Sequence, residues 1–143
     1  MRWIVDGMNV IGSRPDGWWR DRHGAMVALV EMLERWATED DGDERSGAEH
    51  KDVTVVFERP PSTPIPASLV EVAHAPKAAA NSADDEIVRL VQAAAEPGEI
   101  RVVTSDKALT ERVREIGASV YRAEGFRELI DPRGPKAGRH HGD

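Results

Sequence analysis

Val53-Thr54-Val55-Val56-Phe57 is β-branched and almost continuously apolar. That composition belongs to a strand covered on both faces, hence to a parallel sheet. Upstream, Arg2-Trp3-Ile4-Val5 is a second short run, broken by Asp6-Gly7, and reads as a buried strand that ends in a functional loop. Between the two, Met26, Leu29, Val30, Leu33 and Trp36 recur at three- and four-residue spacing, predicting an amphipathic helix from about Arg22 to Ala37. Residues 13–17 carry turn chemistry in Pro15 and Gly17. Downstream, four prolines within residues 59–66 exclude sheet interior, and Leu69-Val70-Glu71-Val72 is a modest strand candidate. Ser82 opens a helix to about Ala95, with Asp85 at the position of a capping-box acid. Ile100 to Thr104 is another apolar strand. Ser105 or Asp106 then starts a helix with the stripe Leu109, Val113 and Ile116, stopped by Gly117. Ser119-Val120-Tyr121 is a short last strand, followed by a helical turn or two over residues 125–130.

Strands alternating with helices and reading as continuous apolar runs imply a three-layer α/β/α sandwich around a mainly parallel five-stranded sheet. The 143 residues suit a single domain over residues 1–132. Residues 38–51 form a polar, acidic insert without periodicity, expected to be flexible. Residues 133–143 lack any large apolar side chain and read as a disordered tail. No run approaches the roughly 18–20 apolar residues of a membrane span, and Asp6 interrupts any signal-peptide core. The absence of cysteine removes disulfides, thiolate metal sites and cysteine nucleophiles together. A soluble, cytoplasmic protein is expected.

The net charge of −7 excludes a globally basic, counterion-releasing surface. It does not exclude a phosphate substrate, because the acids are unevenly placed. Residues 38–51 carry six acids and two bases, a net of −4, which leaves −3 for the rest. Setting aside Asp6, Asp84, Asp85 and Asp106 brings that remainder to +1.

Those four acids define the candidate site. Parallel α/β sheets place their chemistry at the carboxyl ends of strands. Asp6 ends the first strand with Asn9 just beyond, Asp106 follows the fourth, and Asp84 and Asp85 occupy the first turn of the helix entering from that same edge. Each has an ordinary reading: Asp6 as turn chemistry, Asp84 and Asp85 as favourable helix-start charges, Asp106 as an N-cap. Three coincidences at one rim favour a site over three separate ornaments. Clustered carboxylates repel unless they share a cation, and hard oxygen ligands without Cys or paired His suit Mg²⁺ or Mn²⁺ rather than Zn²⁺.

Val5-Asp6-Gly7-Met8-Asn9-Val10-Ile11 resembles the V-D-G-Y-N-V-I opening of the NYN family, a branch of the PIN-like nucleases. Ser82-Ala83-Asp84-Asp85-Glu86-Ile87 resembles the T-A-D-x-x-I segment of its YacP-like members, and Val102-Val103-Thr104-Ser105-Asp106 their V-V-T-S-D element. The three occur in family order. The resemblance implies a PIN-like fold with strand order 3-2-1-4-5 and a divalent-metal ribonuclease site. Asp6, Asp84 and Asp106 match the motif acids, and Asn9 is the polar partner after strand one. Asp85 is either an outer metal contact or a helix-start charge. The departures are Met8 where Tyr is usual and Glu58 where Asp is common, and Glu58 stays outside the core set.

For substrate contact, Trp18, Arg20 and Arg22 follow the catalytic loop, and exposed Trp stacks unpaired bases while Arg holds phosphate. The alternative is that Trp18 and Trp19 close the first helix onto the sheet. Ser105, Arg122 and Arg127 lie near the last strand and are either phosphate contacts or ordinary polar surface. His23, His50 and His74 have no partnering spacing and read as surface.

The leading functional expectation is a metal-dependent endoribonuclease acting on single-stranded or exposed RNA. The alternative is a non-catalytic RNA-binding or ribosome-associated module with the same acidic pocket. A receiver-like phosphoacceptor ranks third, because Glu58 stands where a lone acceptor Asp would end the second strand. Neither G-x-G-x-x-G nor a P-loop is present, so nucleotide-cofactor chemistry has no support.

Overall fold

β2, Asp52–Phe57, takes a central place, with β1, Arg2–Asp6, and β3, Val70–His74, hydrogen-bonded in parallel on either side. β1 also pairs in parallel with β4, Ile100–Val103, and β4 with β5, Ser119–Tyr121, giving the order β3-β2-β1-β4-β5. The molecule is represented by a computed structural model that describes residues 1–13, 17, 20–39, 51–58, 63–75 and 82–131, Ser82 in its backbone alone. Trp18, Trp19, most of the acidic insert and the tail lie outside these residues.

Among the described residues, five α-helices flank the sheet in chain order: α1 (Gly7–Ile11), α2 (Arg22–Ala37), α3 (Ser82–Ala93), α4 (Lys107–Ile116) and α5 (Ala123–Ile130). Alternation along the strands decides which face each covers. Val5, Val53, Val55, Phe57 and Val103 point to one side and pack with α1, α2 and α5. Ile4, Val56 and Val102 point to the other and pack with α3 and α4. Both faces are therefore dry, as the unbroken apolar runs require. Among the described residues, no helix is long and apolar enough to cross a membrane.

The helix starts follow the caps. Asp21 accepts the Gly24 N–H at 2.9 Å and opens α2, and Asp106 accepts the Leu109 N–H at 2.9 Å and opens α4. Gly117 ends α4 at φ 119°, a left-handed conformation that glycine adopts without strain.

Three segments depart from the sequence reading. The expected loop after Asp6 is instead the short helix α1. It turns directly off the sheet because Gly7 has no side chain: a Cβ there would stand 2.5 Å from Cε1 of the buried Phe57. β3 begins at Val70 and runs to His74. Its entry is set by the Glu34 carboxylate of α2, which accepts the backbone N–H groups of Ser68, Leu69 and Val70 at 3.1, 2.9 and 2.7 Å. α5 starts at Ala123, two residues early, because the Ser105 hydroxyl accepts the Ala123 N–H at 3.0 Å. Gly7→Ala is expected to cost about 1–3 kcal/mol through overpacking. Urea unfolding checks it, and an unchanged midpoint would show that Phe57 yields freely.

Candidate active site

The carboxyl edge of the sheet is organised by one hydroxyl. Thr104, immediately after β4 and fully buried, donates its Oγ1–H to Asp6 Oδ2 at 2.9 Å and accepts the Asp106 N–H at 3.1 Å. The end of β1 and the start of α4 are thereby tied through a single side chain. Asp6 closes β1 and is only 6% exposed. It stands at the N-terminus of α1 but forms no side-chain cap there, so its carboxylate faces the edge. Asn9, in α1, accepts the Ser105 N–H on Oδ1 at 2.8 Å and draws the β4–α4 loop toward α1.

Asp84 arrives from the other layer, half-buried in the first turn of α3. Electrostatics shows that these groups share one edge. Burial, with the charges of Asp84 and Asp106, pushes the Asp6 carboxyl up to about 7, against the opposing Thr104 hydrogen bond and the backbone N–H of Asn9. Burial first, then Asp106, Asp85 and Glu58, push Asp84 up to about 6, while Arg112 opposes them. Two carboxyls that hold protons near neutrality, each raised partly by the others, are what mutual repulsion produces in a partly desolvated cleft.

The structure thus brings Asp6, Asn9, Asp84 and Asp106 together. Asp85 differs: its side chain is 72% exposed and pairs with Arg112 Nη1 of α4 at 3.0 Å. Ser105 spends its hydroxyl on Glu124 and on the Ala123 N–H, fixing the start of α5. Arg122, exposed at that start, lies 3.8 Å from Glu124. Arg20 and Arg22 are exposed at the entry to α2. Arg127 lines a cleft with Ile11, Leu29 and Met32, between α1, α2 and α5. Trp18 lies outside the described residues. His23 is half-buried rather than a surface group, with Nε2 3.0 Å from the Thr63 hydroxyl.

Two participants escape the sequence reading. Thr104 is one, although V-V-T-S-D places a hydroxyl directly between strand and acid. Glu58, just after β2, is the other, its charge felt at Asp84.

The donor set is wholly oxygen, from carboxylates and an amide, the chemistry preferred by Mg²⁺ or Mn²⁺. Among the described residues, no three acidic or imidazole groups are gathered into a ready cage for one ion. Mg²⁺ does not need one, since it keeps several waters and takes one or two carboxylates with substrate phosphate. The residues fit such an ion.

The profile of the YacP-like NYN domain matches residues 3–139. The chain belongs to that family. The NYN domain is similar to the crystal structure of Rae1 (YacP) from Bacillus subtilis, with a TM-score of 0.67 and 24% identity over 97% of this chain and 80% of that one. It is also similar to the W164L mutant of the same protein, with a TM-score of 0.63 and 25% identity over 93% and 79%. No curated protein matches it. The all-parallel sheet in the order β3-β2-β1-β4-β5 is that of the YacP-like, PIN-like fold, a nuclease-type domain.

Proposed function

We propose that this NYN domain is a metal-dependent endoribonuclease that hydrolyses phosphodiesters of single-stranded or exposed RNA. The observation that carries the reading is the convergence on one sheet edge of Asp6 from the end of β1, Asp84 from the first turn of α3 and Asp106 from the start of α4, with Asp6 and Asp106 joined through the Thr104 hydroxyl. Asp6, Asp84 and Asp106 would hold Mg²⁺ or Mn²⁺. When bound, such an ion supplies positive charge for phosphate oxygens and acidifies water for hydrolysis.

The chain's own residues supply the rest. Asp6 and Asp84 release their protons once a cation compensates their charge. Thr104 holds the Asp6 carboxylate in a fixed rotamer from inside the core. Asp106 keeps one oxygen on the Leu109 amide, so its carboxylate is oriented by α4 itself. Asn9 sets the Ser105 backbone and with it the loop that carries Asp106. No protein nucleophile is needed.

Incubation with mixed RNA and DNA oligonucleotides tests this. Cleavage of RNA is expected with Mg²⁺ or Mn²⁺, abolished by EDTA and indifferent to thiol reagents because the chain has no cysteine. Full activity in excess EDTA would sink the metal mechanism. The second reading is a non-catalytic RNA-binding or ribosome-associated module with the same acidic edge. Metal and RNA binding without turnover would select it.

A further inference from the structure

An edge built from Asp6, Glu58, Asp84 and Asp106 repels the strand it is read as cleaving, and beyond the reach of a bound metal ion a basic side chain beside it would hold the phosphate chain. Of the basic side chains described on α3, α4 and α5, Arg114 sits in the last turn of α4, away from that edge, and Arg127 lines the cleft between α1, α2 and α5. Arg89, Lys107, Arg112 and, at the start of α5, Arg122 are distinguished by their partners. The Arg89 fork is already taken by Glu86, through Nε to Oε1 at 2.9 Å and Nη2 to Oε2. Arg122 stands on the β5 side, beside Glu124, which also receives the Ser105 hydroxyl. Lys107 is exposed in the first turn of α4 but is a compact point charge on a flexible stem. Arg112 remains.

Arg112 projects from α4 toward the first turn of α3, where Nη1 meets Asp85 Oδ1 at 3.0 Å. Because that turn lies at the carboxyl edge, the guanidinium is brought there too, near enough for its charge to act on Asp84. The side chain is 46% exposed. Among the described residues it makes one hydrogen bond, where a guanidinium has five N–H donors in a planar fork that matches phosphate. An exposed ion pair contributes little to stability, so the fold gives the Arg112–Asp85 pair slight purpose. Orienting the fork gives it one.

We infer that Arg112 is a phosphate-binding residue for the RNA strand, positioned by Asp85 next to Asp84. This rests on the nuclease reading and deepens it. It also assigns Asp85 a positioning role, through Arg112.

The test compares wild type, Arg112→Ala, Arg112→Lys and Arg114→Ala, the last removing the same charge from the same helix two residues on, where side chains do not share a face. Binding of a short labelled single-stranded RNA is measured by anisotropy in EDTA across a KCl series, and cleavage kinetics are measured in Mn²⁺. Arg112→Ala is expected to weaken binding roughly tenfold and to flatten the slope of log K against log[salt] by about 0.7. KM should rise in parallel, with kcat within about twofold. Arg112→Lys should restore the salt slope but only part of the affinity, since it keeps charge and loses the fork. Arg114→Ala should keep wild-type affinity. An unchanged affinity and slope in Arg112→Ala, with wild type cleaving normally, overturns the assignment alone. A wild type that neither binds nor cleaves RNA overturns the nuclease reading and the clamp with it.

Discussion

Asp84→Asn should abolish cleavage while leaving the metal-free protein as stable as wild type or more so. Asn keeps the shape and removes one of the charges crowded at the edge. Asp106, Asp85 and Glu58 all raise the cost of ionising Asp84, and burial adds more. In EDTA the substitution should therefore be neutral or stabilise by on the order of 1 kcal/mol. In Mn²⁺ the ranking should move toward wild type. Binding to the folded state alone adds RT ln(1 + [L]/Kd), about 2.7 kcal/mol at a hundredfold excess over Kd. Cleavage should fall by more than the roughly 10–100-fold that the outer partners of a metal site command. If Asp84 served only as a favourable charge in the first turn of α3, Asn would cost about 0.3–1 kcal/mol with or without metal. Thermal melts of both proteins in EDTA and in Mn²⁺, with a cleavage assay, separate the two. A metal-independent loss of stability with intact cleavage refutes the site.

Asp6, Asp84 and Asp106 can be placed at one edge from the sequence because each ends or begins an element whose direction is legible. Val53–Phe57 announces a parallel sheet, the Leu109–Val113 stripe and Gly117 announce α4, and parallel topology then puts every strand terminus on one rim. What the sequence hides is whatever depends on a contact between distant segments. Thr104 looks like one more strand residue until its hydroxyl is seen on Asp6, 98 positions away. The start of β3 depends on a Glu34 carboxylate more than thirty residues upstream. Gly7 opens α1 at a place where a Cβ would run into the Phe57 ring beneath it, a contact no local propensity encodes. Asp85 could be read as metal contact or helix-start charge with equal ease. Only the approach of Arg112 from α4 shows what it touches. Glu58 stays outside the core set because it stands where the family commonly has Asp, and its influence on Asp84 appears only when β2 and α3 are packed together.

Removal of metal should leave a protein that loses stability as pH rises from about 4 to 7, the reverse of a chain whose carboxylates are satisfied. Asp6 is the cause. Its folded value is raised from 3.8 to about 7, burial being the largest contribution. Between those values the folded state keeps a proton that the unfolded state has released, so the folded state binds more protons and unfolding becomes easier with each step upward. The whole effect is present above the folded value and gone below 3.8. Its size is on the order of 4 kcal/mol. Asp84, raised to about 6, acts in the same direction over a narrower window. Glu86 and Glu124 work oppositely: hydrogen bonds from Arg89 and Ser105 hold them below the usual carboxylate range, so their stabilisation is lost only in acid. The two trends cross, and metal-free stability should peak near about pH 4–5. Asp6→Asn removes the titrating group. It should flatten the limb between pH 5 and 8 and be the more stable protein at pH 8, even though cleavage is lost. Saturating Mn²⁺ should reverse the wild-type trend, because metal competes with protons for the same oxygens and binds more tightly as they leave. Urea unfolding of both proteins at pH 5 and pH 8, in EDTA and in Mn²⁺, measures each of these changes. A metal-free wild type that is as stable at pH 8 as at pH 5, with Asp6→Asn no better, would mean that Asp6 ionises freely and that the edge is no crowded acid site.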